Sequence, residues 1–136
     1  MCIRDSLEGL WWSDDLSDFA TGKKDNWYWT LMIMQPEVVT KEIFEKALID
    51  VKAKKNPLFI DKVRFESFEE GESAQIMHLG PFAEEAPNIK KVHDHIKELG
   101  GKFDGKIQKH HEIYLSDLRR TAPEKLKTIV RQSYTR

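Results

Sequence analysis

Residues 73–99 read SAQIMHLGPFAEEAPNIKKVHDHIKEL and contain the pattern that decides the fold. The first seven, Ser73 to Leu79, form a strand-like run that Gly80-Pro81 interrupts. From Glu84 to Leu99, apolar residues recur at helical spacing, and Gly100-Gly101 ends the pattern. The segment therefore predicts a strand followed by an amphipathic helix.

Strand-like runs flank this segment on both sides. Lys62 to Glu69 precedes it and is joined to Ser73–Leu79 by Glu70-Gly71-Glu72, a short connection that predicts a hairpin. Lys109 to Leu115 and Lys125 to Gln132 follow it, separated by a proline-containing turn. The predicted order is strand, strand, helix, strand, strand.

The N-terminal half adds two strands and a second helix. Leu7 to Trp12 predicts a strand, the polar stretch Ser13 to Asn26 a loop, and the apolar run Trp27 to Gln35 a central strand buried on both faces. Thr40 is the predicted N-cap of an amphipathic helix over Lys41 to Lys55. Because these elements do not alternate as regular βαβ units, we expect an α+β fold, with an antiparallel sheet and the helices on one face.

The composition of the 136 residues limits the classes of protein to consider. The length suits one domain. Because 22 basic and 23 acidic side chains are interleaved and give a formal net charge of -1, we do not expect nucleic acid as a partner. No apolar run approaches the roughly 20 residues that span a bilayer, so we expect no membrane contact. Cys2 is the one cysteine, which predicts a soluble, cytoplasmic protein without an internal disulfide.

The stretch His110 to Asp117, HHEIYLSD, contains the first candidate for chemistry. Strand alternation places His110, Glu112 and Tyr114 on one face and His111 on the other. A glutamate buried without a partner costs several kcal/mol, so Glu112 needs a cation or a ligand if the strand is covered. An edge strand whose Glu112 faces water is the alternative that alternation leaves open.

Aromatic residues are the second candidate, because four tryptophans lie between positions 11 and 29. Flat rings beside one acid suit a cationic or planar aromatic molecule, through contacts of about 0.5–2 kcal/mol each. The alternative for these rings is that they only fill the core. His78 either borders a ligand cavity or is a core histidine with satisfied hydrogen bonds. The predicted ligand-binding residues are Trp11, Trp12, Trp27, Trp29, His78, Phe82 and Glu112.

The five histidines do not predict a metal site. His93 and His95 lie on different faces of a helix, and His110 and His111 lie on opposite faces of a strand. Neither pair forms a chelate by itself. We expect no metal and no cofactor.

Five ordered segments resemble the stand-alone GyrI-like small-molecule-binding domains. They are LEGLWW from Leu7, WTLMIMQP from Trp29, RFESFEEGESAQIMHLGPF from Arg64, HHEIYLSD from His110 and LKTIVRQ from Leu126. Together they extend over nearly all of residues 7–132. The resemblance implies two strand–helix–strand–strand modules related by a pseudo-twofold axis, with a ligand cavity between them.

The same resemblance implies two functions for the cavity. In relatives that sense drugs within transcription regulators, the glutamate equivalent to Glu112 is the buried acid that meets cationic lipophilic ligands. In some stand-alone members, the pocket hydrolyses the cyclopropane of DNA-alkylating natural products. Glu112 would then activate water or stabilise developing positive charge and Tyr114 would orient it, so these two are the predicted catalytic residues. A protein-interaction module is the third hypothesis.

The resemblance also places the opening strand and helix of the first module before Leu7. Residues 1–6, MCIRDS, match what one frame of a common transposase adapter end encodes. We therefore expect 1–6 to be a non-native segment and 7–136 a partial domain, with a genuine short N-terminus as the alternative. A sheet without its first strand exposes an unpaired edge, so we expect dimerisation through that edge or poor solubility.

Overall fold

The computed structural model describes residues 5–15 and 24–136. Within these ranges the strands are β1 (Leu7–Ser13), β2 (Trp27–Ile33), β3 (Ser73–Leu79), β4 (His110–Tyr114) and β5 (Lys127–Ser133). The helices of the same ranges are α1 (Lys41–Lys54) and α2 (Ala86–Glu98). The predicted α+β class is confirmed. Residues 1–4 of the predicted non-native segment and 16–23 of the predicted loop lie outside the described ranges.

The five strands form one antiparallel sheet in the order β2-β1-β4-β5-β3. The register of β1 and β4 sets Gly9 opposite Glu112. Since opposed residues point to the same side of a sheet, Trp11 and Trp29 share the face of Glu112, and His111 lies on the other. We call these sides the Glu112 face and the His111 face.

Strand β2 lies at the edge of the sheet among the described strands, so the prediction of a central strand for Trp27–Gln35 is wrong. It pairs with β1 but with no other described strand, and none of its side chains is buried. An uninterrupted apolar run indicates a strand, but it does not state how many neighbours the strand has. The inner strand of this half is β1, which pairs with both β2 and β4.

The predicted hairpin of Lys62–Glu69 with Ser73–Leu79 is also wrong. Residues 63–72 form no strand, and β3 pairs with β5 instead. The backbone N–H of Tyr134 donates to the carbonyl of Glu72 at 2.9 Å, which continues the pairing with the β5 segment at the place where the turn was expected. The acidic connection with its glycine gave a local hairpin signal, and a partner distant in sequence prevailed over it.

Helix α2 lies over β3 and β5 on the Glu112 face. Val92 and Ile96 are buried and pack with Tyr134 against Ile76 of β3. These contacts confirm the predicted amphipathic helix, which begins and ends within two residues of the expected positions. No helix of the described ranges is long and apolar enough to cross a membrane.

The described residues divide into two compact units, one of residues 34–69 and one that contains all five strands and α2. In the unit of residues 34–69, the hydroxyl of Thr40 accepts a hydrogen bond from the backbone N–H of Ile43 at 3.4 Å, which confirms the predicted cap of α1. The ring of Phe44 stacks on that of Phe65 with centroids 5.3 Å apart. The candidate site lies entirely in the sheet unit.

Candidate functional site

Glu112 lies in the middle of β4, and its side chain is only 12% exposed. His110 Nε2 lies 3.0 Å from one carboxylate oxygen, and the hydroxyl of Tyr114 donates to the other at 2.7 Å. Burial alone would raise the pKa of Glu112, but hydrogen bonds to the charged form outweigh it and the pKa lies below its usual value. Because β4 is paired on both sides, the alternative of a solvent-facing glutamate on an edge strand is excluded.

Glu85, immediately before α2, is a second acid that sequence reasoning missed. It is only 4% exposed, and its carboxyl group is hydrogen-bonded to that of Glu112. Burial and the charge of Glu112 raise the pKa of Glu85 to about 8. Since a hydrogen bond between two carboxyl groups needs one proton, Glu85 holds the proton at neutral pH and Glu112 accepts the bond. The site is thus a carboxylic acid beside a carboxylate.

Two buried polar atoms near this pair have no hydrogen-bond partner among the described residues, Glu85 Oε1 and Thr128 Oγ1. Thr128 is opposite Tyr114 in the β4–β5 register and therefore lies on the Glu112 face. Buried polar atoms are paired in the large majority of cases. These two atoms therefore give the Glu112 face capacity for further hydrogen bonds.

The turn between β3 and α2 positions Glu85. Gly80 adopts a φ of 128°, which would strain any other residue. His78 stabilises the turn, because its Nε2 lies 3.0 Å from the carbonyl oxygen of Pro81 and its Nδ1 lies 3.0 Å from Nδ2 of Asn88. Both ring nitrogens of His78 are engaged, which agrees with the core histidine of the two predicted alternatives. His78 holds the turn that presents Glu85.

Three of the four tryptophans form a cluster on the Glu112 face, and Phe82 contacts Tyr114. The ring of Trp11 lies 6.3 Å from that of Trp27 and 6.2 Å from that of Trp29, centroid to centroid. Phe82 packs edge-on against Tyr114 at 5.8 Å. Because Trp29 is 59% exposed, this aromatic cluster is open to solvent on its β2 side.

Trp12 is not part of this cluster. It follows Trp11 directly in β1 and lies on the His111 face, where it stacks on Tyr28 at 5.8 Å. The Nζ atom of Lys109 lies 3.8 Å from the centre of its ring. The structure therefore does not bring Trp12 together with the other predicted ligand-binding residues. Strand alternation, applied to Trp11-Trp12 as it was to His110-His111, would have separated them.

Gly9 makes the contact between Trp11 and Tyr114 possible. The indole Nε1 of Trp11 donates to the hydroxyl of Tyr114 at 3.0 Å. A Cβ on Gly9 would lie 2.7 Å from Trp11 Nε1 and 3.0 Å from the Tyr114 hydroxyl. Glycine inside a strand often marks such a close approach, so the sequence carried a signal for this position.

Other features of the described residues do not compete with this site. No group of three or more histidine, cysteine or acidic side chains in residues 5–15 and 24–136 is arranged to hold a metal ion. A recess of about 280 Å³ lies between α2 and β3, but none of the residues of the Glu112 site lines it. A buried carboxylic acid next to a buried carboxylate, with aromatic rings nearby, indicates catalytic chemistry more strongly than this recess does.

Comparison with solved structures relates this chain to proteins of Listeria innocua. An uncharacterized conserved protein has a TM-score of 0.85 and 42% identity over 98% of this chain and 65% of its own. Two structures of hydrolases have TM-scores of 0.82 and 0.80 and identities of 40% and 41%, over 98% of this chain and 64% of theirs. The chain thus spans slightly less than two thirds of these proteins. No protein-family model and no curated protein matches it.

Proposed function

We propose that the Glu112 site binds a planar aromatic molecule and hydrolyses it, as part of a protein of the GyrI-like small-molecule-binding type. The observation that carries the proposal is the pairing of Glu85 with Glu112. At neutral pH the pair offers a general acid and a general base side by side. Similarity to hydrolases of Listeria innocua supports the class of reaction.

The proposed substrate is a planar molecule with a strained cyclopropane conjugated to a ring carbonyl, as in the DNA-alkylating natural products that some GyrI-like proteins hydrolyse. Trp11, Trp27 and Trp29 provide faces and edges for such a ring system, and Phe82 packs against Tyr114. Stacking would hold the strained carbon near Glu112 and so reduce the entropy cost of the reaction.

The proposed reaction adds one water across one carbon–carbon bond. Glu112 takes a proton from water as the water oxygen bonds to the methylene carbon of the cyclopropane. The ring bond breaks, its electron pair moves into the conjugated system, and the carbonyl oxygen takes the proton of Glu85. The proton gained by Glu112 then passes to Glu85 through their hydrogen bond, which restores the starting state.

Tyr114 has a positioning role in this scheme. Burial and the charge of Glu112 raise the pKa of its phenol, so the hydroxyl stays protonated and donates to Glu112. The indole N–H of Trp11 fixes the same hydroxyl from the other side. The chain from Trp11 through Tyr114 orients one carboxylate oxygen, and His110 orients the other.

Mass spectrometry tests the proposal, by incubating the protein with a cyclopropane-bearing alkylator and following the ring-opened product that has gained one water. We expect turnover by the wild type and by Glu84→Gln, which alters the exposed neighbouring carboxylate, and turnover slower by about 10²–10⁴-fold for Glu112→Gln. A wild-type protein that binds the alkylator without forming this product would contradict hydrolysis.

Sequestration or sensing of a planar cation is the second candidate function. The ionised Glu112, with a cluster of three indole rings on the same sheet face, favours it, because aromatic faces and a buried carboxylate both attract cations. Tight binding of a cationic dye without turnover of any alkylator would support it. Equal dye affinity of the wild type and Glu112→Gln would refute this role for Glu112.

A further inference from the structure

The Glu85–Glu112 pair carries one negative charge, although it contains two carboxyl groups. Glu85 keeps its proton because its environment is buried and because Glu112 is already ionised. A second negative charge at the same place would meet strong repulsion. The proton of Glu85 is therefore the part of the site that a new charge can displace.

Few other titratable groups face Glu85. From β4, Tyr114 stays protonated and His110 contacts Glu112. From α2, His93 is partly buried, and burial and the charge of His110 lower its pKa. From β3, His78 is engaged by the turn itself, and Glu84 is exposed. The β5 residues opposite His110, Glu112 and Tyr114 are uncharged, namely Gln132, Val130 and Thr128.

The carboxyl group of Glu85 has fewer hydrogen-bond partners than that of Glu112. Glu85 is 4% exposed, and its Oε1 has no hydrogen-bond partner among the described residues. The aromatic cluster on the same sheet face is open at Trp29 and attracts planar molecules of either charge state. A positive charge next to Glu85 would favour its ionised form, whereas a neutral molecule would leave its proton in place.

We infer that the Glu85–Glu112 pair is a proton-exchange site, which takes a neutral planar molecule with its proton in place and a planar monocation by releasing that proton. The inference rests on the proposed binding of planar molecules and extends it to their charge. In this arrangement the buried net charge stays small for either ligand, which limits the cost of burial. Planar cations are then inhibitors of the hydrolysis of a neutral substrate.

Proton release has a defined pH dependence. Since Glu85 has a pKa of about 8, affinity for the cation rises about tenfold per pH unit below that value and levels off above it. Affinity for the neutral molecule does not rise with pH in the same range. The difference between the two ligands isolates the exchange from general effects of pH on the protein.

Calorimetry with two matched probes tests the exchange. The probes are N-methylphenanthridinium, a fixed cation, and phenanthridine, its neutral counterpart. Titrations at about pH 6.5 in buffers of different ionisation enthalpy count the protons released. We expect about one proton per cation and none per neutral molecule. In Glu85→Gln the release disappears and cation affinity becomes independent of pH, whereas Glu84→Gln behaves as the wild type.

The outcomes separate this inference from the proposed function. Binding of both probes without proton release overturns the exchange and leaves the aromatic site intact. Failure of both probes to bind contradicts the proposed function and the exchange together. A ligand-free measurement is decisive on the proton: carbon-13 spectra of labelled glutamate carboxyls must show one group that titrates near pH 8 in the wild type and not in Glu85→Gln. Absence of that titration refutes the exchange whatever the probes do.

Discussion

Adjacent residues of β4 are at the centres of two buried polar clusters that differ in charge balance. On the His111 face, the ring of His111 lies between Glu8 Oε2 at 2.7 Å and Glu70 Oε1 at 2.9 Å. The guanidinium of Arg131 contacts the second oxygen of Glu70 at 2.6 Å. Two carboxylates here meet two basic groups.

The cluster on the Glu112 face lacks this balance. It places two carboxyl groups together, keeps one of them protonated and leaves a buried oxygen without a partner among the described residues. Such an arrangement costs stability and is retained where it serves function. Burial alone therefore does not separate structural from functional polar residues, whereas the balance of charge and hydrogen bonds does.

Glu112→Gln is expected to lower the rate of ring opening by about 10²–10⁴-fold, the usual contribution of general acid–base catalysis. The free energy of unfolding should change by less than about 1 kcal/mol, because glutamine has the same size and can pair with Glu85. Rates from mass spectrometry and unfolding in urea measure the two effects. If Glu112→Gln lost much stability but kept its activity, Glu112 would be a structural residue and the functional role of the Glu112 face would be wrong.

His111→Gln is expected to have the opposite effect. It should lower the free energy of unfolding by about 3 kcal/mol, because it leaves Glu8 and Glu70 facing each other without the imidazolium, and it should not change the rate of ring opening. Urea unfolding measures the loss, and His95→Gln, which alters an exposed histidine of α2, is the matched control.

The stabilisation of the folded protein by His111 and Glu70 depends on pH. Burial opposes the charged form, but Glu70 and Glu8 raise the pKa of His111 above its usual 6.5. Its contribution is therefore complete below pH 6.5 and is lost as the pH rises through the raised pKa. Burial likewise opposes ionised Glu70, but His111 and Arg131 lower its pKa below 4.5, so its contribution is lost as the pH falls through that lowered value. His111→Gln should remove the part of this alkaline loss that comes from His111, so its stability should fall less than that of the wild type as the pH rises above 6.5. An unchanged fall would disprove this origin.

Glu85→Gln is expected to stabilise the protein at neutral pH by about 1–3 kcal/mol. Glu85 ionises near pH 4.5 in the unfolded chain but near pH 8 in the folded one, so wild-type stability falls as the pH rises between these values. Glutamine has no proton to lose and lacks this slope. Thermal unfolding at several pH values measures the difference. Equal slopes in both proteins would show that Glu85 is already ionised.

The sequence predicted the elements of the fold better than their neighbours in the sheet. The spacing of apolar residues and the capping residues predicted the ends of α1, α2, β1, β4 and β5 to within two or three residues, because these signals are local. The edge position of β2 and the pairing of β3 with β5 depend on partners distant in the chain. Neither the pseudo-twofold arrangement of modules nor the predicted dimer is tested by these contacts, and both stay predictions.

The candidate site was predictable on the strand but not beyond it. Alternation placed Glu112 with Tyr114, and their hydrogen bond follows from that spacing. Glu85 gave no signal, because an acid before a helix that begins Ala86-Pro87 is typical of an exposed first turn. Only the fold of the turn after β3 brings it against Glu112.

The two adjacent tryptophans of β1 offer the smallest and most selective test of the two faces. Trp11→Phe should weaken binding of phenanthridine by about 1 kcal/mol, roughly fivefold, because it removes part of the stacking surface and the hydrogen bond to Tyr114. Trp12→Phe should leave binding unchanged, since its ring contacts Tyr28 and Lys109 on the His111 face. Fluorescence titration measures both affinities. Both substitutions exchange the same side chains at neighbouring positions, so their difference reports position alone. Equal weakening by the two would mean that phenanthridine binds outside the Glu112 face, and the assignment of the aromatic cluster would fail.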